Sequence, residues 1–190
     1  MSGSFWLDSK TGTRYTLGRP FSYGDINYTK QGATAETFKS LGFKEVQIQP
    51  RPDDAFYIIS GPDDTGAYNA TPRDHVQLVE GYVRQFADEC NSILSHSDWM
   101  VIRKDETAKA IPADWHQFRE DCRDVCGNRQ AAVMNTKDTA ALEKLVKAPA
   151  EVPVDPDDPD AGMKPNPEPH LEPWPLDPDQ QAEMAKQAAK

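Results

Sequence analysis

Ser97-Asp98-Trp99-Met100-Val101-Ile102-Arg103-Lys104-Asp105-Glu106, closing on Ile111-Pro112, separates two segments that each carry a helical pattern. The stretch holds no nucleophile beside a base and no metal-ligand cluster. It offers a large aromatic, a short apolar run and a helix restart. Those are the parts of a connector in a helical hairpin, so the chain reads as one that organises other polypeptides.

Before the connector, Thr71-Pro72-Arg73-Asp74 supplies a capping residue, a proline for the first helical position and an acid for the first turn. Val76, Val79, Val83, Phe86, Cys90 and Ile93 then recur at heptad spacing. After it, Trp115, Phe118, Cys122, Val125, Arg129 and Ala132 repeat the spacing. Two matched seams predict an antiparallel helix pair with Val79, Val83, Phe86, Trp115, Phe118 and Val125 as its core. Trp99 reads as a plug at the top of the pair or as a docking residue. Arg129 on a seam marks an end open to solvent or to a partner. Asn135-Thr136-Lys137-Asp138 predicts the cap of a short third helix, with Leu142, Leu145 and Val146 as its apolar face.

Residues 1–62 read as a small β-rich module. Arg14–Leu17 and Phe21–Tyr28 are rich in strand-forming residues, and Gly24-Asp25 is a hairpin turn signal. Thr34 and Gly42 bracket a short helix. Phe43–Gln49 and Phe56-Tyr57-Ile58-Ile59 read as strands, the latter mostly buried, and residues 61–70 as a loop. Helical residues 71–147 follow. The fold class expected is α+β.

Residues 148–190 form an acidic tail. Ten of the 16 prolines fall between Ala148 and Asp179. Such a segment predicts extended, partly polyproline II chain, with Gln180–Lys190 as a weak helix. Of the formal net charge of -10, the tail carries -7. That balance argues against nucleic acid as a partner. No apolar run reaches the length of a membrane span, and no signal peptide is visible. Leu171, Trp174 and Leu176 make an apolar island in the tail. Trp174 has no core of its own, so it either docks on a partner or folds back on its own domain.

The candidates for chemistry have plain structural readings. Cys90, Cys122 and Cys126 lack a fourth ligand and the usual zinc spacing, and read as core thiols in a reducing compartment. Asp53-Asp54, Asp63-Asp64 and Asp157-Asp158 each sit beside Pro or Gly, where Asp builds turns. The four histidines accompany no nucleophile motif. No phosphate loop or dinucleotide pattern occurs. The expectation is a non-enzyme with no catalytic residue, metal or cofactor.

Phe21-Ser22-Tyr23-Gly24-Asp25-Ile26-Asn27-Tyr28, Leu41-Gly42-Phe43-Lys44-Glu45-Val46 and Pro50-Arg51-Pro52-Asp53-Asp54-Ala55-Phe56-Tyr57 resemble the N-terminal module of tailed-phage tail fibre assembly proteins. Ser97–Arg103 with Ala110-Ile111-Pro112-Ala113 resembles the helical region of the phage tail assembly chaperone family. Glu172-Pro173-Trp174-Pro175 is similar to the Trp-Pro ending of those chains. The resemblance implies a non-enzymatic accessory protein. It would bind fibre or other tail polypeptides in an oligomeric assembly, in the host cytoplasm, with Trp99, Leu171, Trp174 and Leu176 as partner-binding residues. The long acidic, proline-rich insert before Trp174 departs from the family. It raises the alternative of a component retained in the virion tail, an adaptor or hinge between tail and fibre. A tail-associated glycan hydrolase is a third reading and would need two carboxylates in a cleft.

Overall fold

The computed structural model describes residues 3–155 and 158–188. The fold is α+β. The chain divides into two compact units, Met1–Arg73 and Asp74–Lys190.

In the first unit, β1 (Ser4–Leu7) is the central strand of a three-stranded antiparallel sheet. Its neighbours are β2 (Arg14–Tyr15) and, later in the chain, β5 (Lys44–Gln47). Phe5 lies opposite Val46, and Trp6 lies between Tyr15 and Glu45. The hairpin β3 (Phe21–Tyr23) and β4 (Ile26–Tyr28) turns at Gly24-Asp25, as the sequence predicts. Thr34 caps α1 (Ala35–Ser40) by accepting from the Thr37 N–H. Gly42 leaves the helix at φ 80°, a conformation glycine adopts without strain.

Trp6, Ala33, Phe38 and Phe43 form the buried cluster of this unit, with Tyr15, Phe21 and Tyr23 packed against it. Tyr15 stacks on Phe43 at 4.8 Å, and Phe21 packs on Phe38 at 5.0 Å between ring centroids. A unit this short has little aliphatic surface to bury, and large rings supply the deficit.

The bounds of the module differ from the sequence reading. β6 (Tyr57–Ser60) pairs with β7 (Asn69–Pro72), so the segment read as a loop after residue 60 is the turn of a hairpin and its return strand. Pro72 therefore ends a strand rather than opening a helix. A two-stranded ribbon has edge positions on both strands, where a missing N–H is tolerated. Ile58 is 60% exposed, so β6 is half-buried rather than mostly buried.

In the second unit, Asp74 rather than Thr71 caps α2 (His75–Ser95), its carboxylate accepting from the Gln77 N–H. Next come α3 (Asp98–Thr107) and α4 (Ala113–Met134). Four bonds fix the antiparallel register of α2 on α4. Gln130 Nε2 donates to the Val83 carbonyl at 3.1 Å, and the Cys126 thiol donates to that of Phe86 at 3.6 Å. The Cys90 thiol donates to the Cys122 carbonyl at 3.7 Å, and Arg119 donates to that of Leu94 at 2.9 Å. His75 Nε2 donates to the Thr136 carbonyl at 2.9 Å and ties the far end.

Phe86, Phe118 and Val125 are buried as expected, while Val79, Val83 and Trp115 are half-buried. Val76, the first seam position, is 64% exposed, so the seam begins one turn later. Asp138 caps α5 (Thr139–Lys147) through the Ala141 N–H, and Leu142 and Leu145 are buried.

The tail belongs to the second unit and is not a free extension of it. Here β8 (Glu151–Asp155) pairs antiparallel with β9 (Asp158–Pro165). Asn166 closes the base of this ribbon, its N–H donating to the Ala150 carbonyl and its side-chain amide to that of Pro149. Segment 166–177 has no regular secondary structure and bends at 167–168, and α6 (Pro178–Ala188) ends the described chain. The Asp157 half of the Asp157-Asp158 pair lies outside the described residues.

Candidate functional site

The connector contains a helix. Ser97 breaks the chain direction, α3 runs for 10 residues, and Ala108 at φ 58° ends it. Beneath α3 lies a compact polar joint. The Arg119 guanidinium donates to the Leu94 carbonyl, to Ser97 Oγ and to Asp98 Oδ1, the last at 2.8 Å. The Ser97 hydroxyl in turn donates to the Leu94 carbonyl at 3.1 Å. Leu94 lies in the last turn of α2, where its carbonyl takes the Ser97 N–H at 3.0 Å, and these side chains add further donors to it. Arg119 and Ser97 are both buried.

Met100, not Trp99, points inward here. Trp99 is 52% exposed and Ile102 57%, with Val101 exposed beside them. Arg103 lies over the Trp99 ring at 4.8 Å, covering one face by a cation–π contact. The plug reading of Trp99 is therefore wrong. Its ring stands on the outer side of α3, one turn from Ile102.

Trp174 takes the other course left open by the sequence: it folds back on its own unit. Its ring packs on the cluster of Cys90, Leu94, Phe118 and Cys122. The indole N–H donates to Glu89 Oε2 at 2.9 Å, and the Arg129 guanidinium lies over the ring at 4.4 Å. Arg129 Nε also donates to the Glu172 carbonyl at 2.6 Å, and Asn128 to the Glu172 carboxylate at 2.9 Å. The polar seam position does mark an opening, and the chain's own tail closes it. Burial pulls the Arg129 pKa below the ordinary arginine value, while Glu89 and Glu172 pull it back up.

Leu176 is 43% exposed and Leu171 half-buried. Beside Trp174 remains a cavity of about 350 Å³, lined in part by Ile93, His96, Trp115 and Leu176. The docking roles expected of Leu171, Trp174 and Leu176 toward a partner therefore meet a competing intramolecular contact.

The three thiols sit on facing turns of α2 and α4. Burial pushes Cys122 up to about 11, with the Cys90 thiol adding to the shift. Burial also raises Cys90, helped by the neighbouring Cys126 thiol. Thiols held protonated are poor nucleophiles. Native protein treated with iodoacetamide near neutral pH should take up label at Cys126 alone, the half-buried one, and at all three after unfolding. Peptide mass mapping reads the difference.

The acidic pairs build turns. Asp53 Oδ1 accepts from the Ala55 N–H, and Asp63 Oδ1 from the Thr65 and Ala67 N–H groups. Those bonds hold the Asp63 carboxyl below its ordinary range, with the Thr65 side chain contributing most. Asp54 pairs with Arg51, and Asp64 with Arg14 at 2.7 Å. Among the described residues no cluster of His, Cys, Asp and Glu can hold a metal ion, and no helix is long and apolar enough to cross a membrane.

Two features escape a reading of the sequence. Arg119 looks like Arg123, any basic residue on a helix, until the Ser97 break above it is known. Strand β1 is short, and its Phe5-Trp6-Leu7 run was the one available signal. No family model, no curated protein and no solved structure matches the chain.

Proposed function

We propose that this protein is a non-enzymatic accessory protein of tailed-phage assembly that binds a fibre or other tail polypeptide. The sequence resemblance supplies the class of partner. The observation that supports a binding role is the outer side of α3, where Trp99 and Ile102 are more than half exposed one turn apart. A large aromatic on a short helix, supported from below by a buried polar joint, is the kind of rigid anchor that dominates interfaces.

The test is co-expression with the polypeptides of the neighbouring reading frames, followed by capture through this protein. Trp99→Ala with Ile102→Asp should reduce capture of a fibre or tail polypeptide by at least about tenfold, the scale of losing one anchor. Stability should move by less than about 0.5 kcal/mol, since both side chains face solvent. Undiminished capture would defeat the proposal. Counting the protein in purified particles separates a released chaperone from a retained adaptor. The docked tail removes one ground for retention, because its order needs no partner.

A further inference from the structure

The groove of α2 and α4 that receives Trp174 is filled by a segment whose connection to α5 has no regular structure outside the β8–β9 ribbon. The groups that hold the anchor are concentrated in residues 172–176: a main-chain carbonyl, a carboxylate, an indole and the Pro175-Leu176 pair. Every receiving group is on α2 or α4. Between the end of α5 and the anchor, the ribbon β8–β9 pairs with itself and is closed by Asn166. This stretch meets the helices through the Lys144–Glu168 ion pair, exposed on both sides, and through Val152 and Pro169, which lie beside α5. Exposed pairs of this kind contribute little. Beyond the anchor, Asp177 accepts from the Gln180 N–H, and Gln181 donates to the Leu176 carbonyl. The anchor and α6 therefore move as one piece.

With the ribbon kept closed, about a dozen residues (147–150 and 166–173) join α5 to Trp174 and span up to ~40 Å when extended.

We propose that the groove exchanges tails between copies. Residues 172–176 of one copy occupy the α2–α4 groove of a second, and the second returns its own, closing a two-fold dimer. Every bond of the closed form is remade in the exchanged one, so the two differ in tethering and association entropy and not in contacts. Charge complementarity supports this occupant. Arg129 lies half-buried beside Glu89 and donates to the Glu172 carbonyl of the incoming strand, while Asn128 takes its carboxylate. The inference stands apart from the role of α3 and does not need it.

Two full-length variants test it. Trp174→Ala keeps the groove and loses the anchor; Arg129→Glu keeps the anchor and repels it from the groove. Each alone should sediment as a monomer, and an equimolar mixture should give a heterodimer. Far-UV circular dichroism confirms that both are folded. In wild type, the dimer fraction should climb as concentration approaches about 1 mM, the effective concentration of a short tether, and should vanish in Trp174→Ala. A mixture that stays monomeric overturns the proposal. So does a wild type that sediments like Trp174→Ala, or a Trp174→Ala chain that dimerises alone, which would place the interface elsewhere.

Discussion

Phe38→Ala should unfold the first unit and leave the second intact. The ring is fully buried and packs on Trp6 at 5.6 Å, Tyr15 at 6.0 Å, Phe21 at 5.0 Å and Phe43 at 5.8 Å. Removing a core phenylalanine costs about 3–5 kcal/mol, part lost transfer energy and part cavity. A unit of this size holds only about 4–11 kcal/mol in total. The neighbours cannot collapse into the gap, because they are rigid rings fixed to three strands and to the turn before β5. Hydrogen exchange should show lost protection across β1, β2, α1 and β5, with α2 and α4 unchanged. Retained protection in the first unit would show that Phe38 is not central to that core.

Arg119→Ala should cost the second unit about 3 kcal/mol, the scale of breaking a buried charge-assisted network. Truncation removes the charged donor from the Leu94 carbonyl and from Ser97 Oγ, leaves that carbonyl to the Ser97 N–H and hydroxyl, and frees the Asp98 carboxylate. It also takes packing from a seam beside Phe118. Arg119→Met separates the two effects. Methionine restores the stem but not the donors, so it should recover less than half of the loss if the bonds dominate. Urea unfolding followed by helix signal measures all three chains. A methionine variant as stable as wild type would show that only packing matters. The Asp98–Arg119 pair adds little by itself, since Asp98 is 55% exposed at its side chain.

The helices were legible because their signals are local. Heptad spacing located α2 and α4, and Asp138 with its following apolar face located α5. What was misread depended on partners distant in sequence. Thr71-Pro72 has the chemistry of a helix start, yet Pro72 lies opposite Tyr57 in a strand, and Asp74 two residues later does the capping. Nothing within a few residues of Pro72 distinguishes the two. The connector shows the same limit. Asp98–Thr107 has weak helical patterning because it buries a single residue, Met100. A helix that covers so little leaves little trace in the sequence.

The candidate site divides in the same way. Trp99 and Trp174 were both visible as aromatics in need of an explanation. The sequence could not assign their surroundings, and the structure reverses the simpler guess for Trp99. Arg129 was the better signal. A charge on an apolar seam asks for a counterpart, and Glu89 and Glu172 provide it.

The closed base of the β8–β9 ribbon carries a practical consequence for engineering. Pro149 and Ala150 are joined to Asn166, so chain entering the ribbon returns to its point of departure. Material spliced into the chain between Ala150 and Asn166, such as an epitope or a fluorescent domain, enlarges a side excursion and leaves the path from α5 to the anchor unaltered. The ribbon is thus a permissive address for labelling the protein.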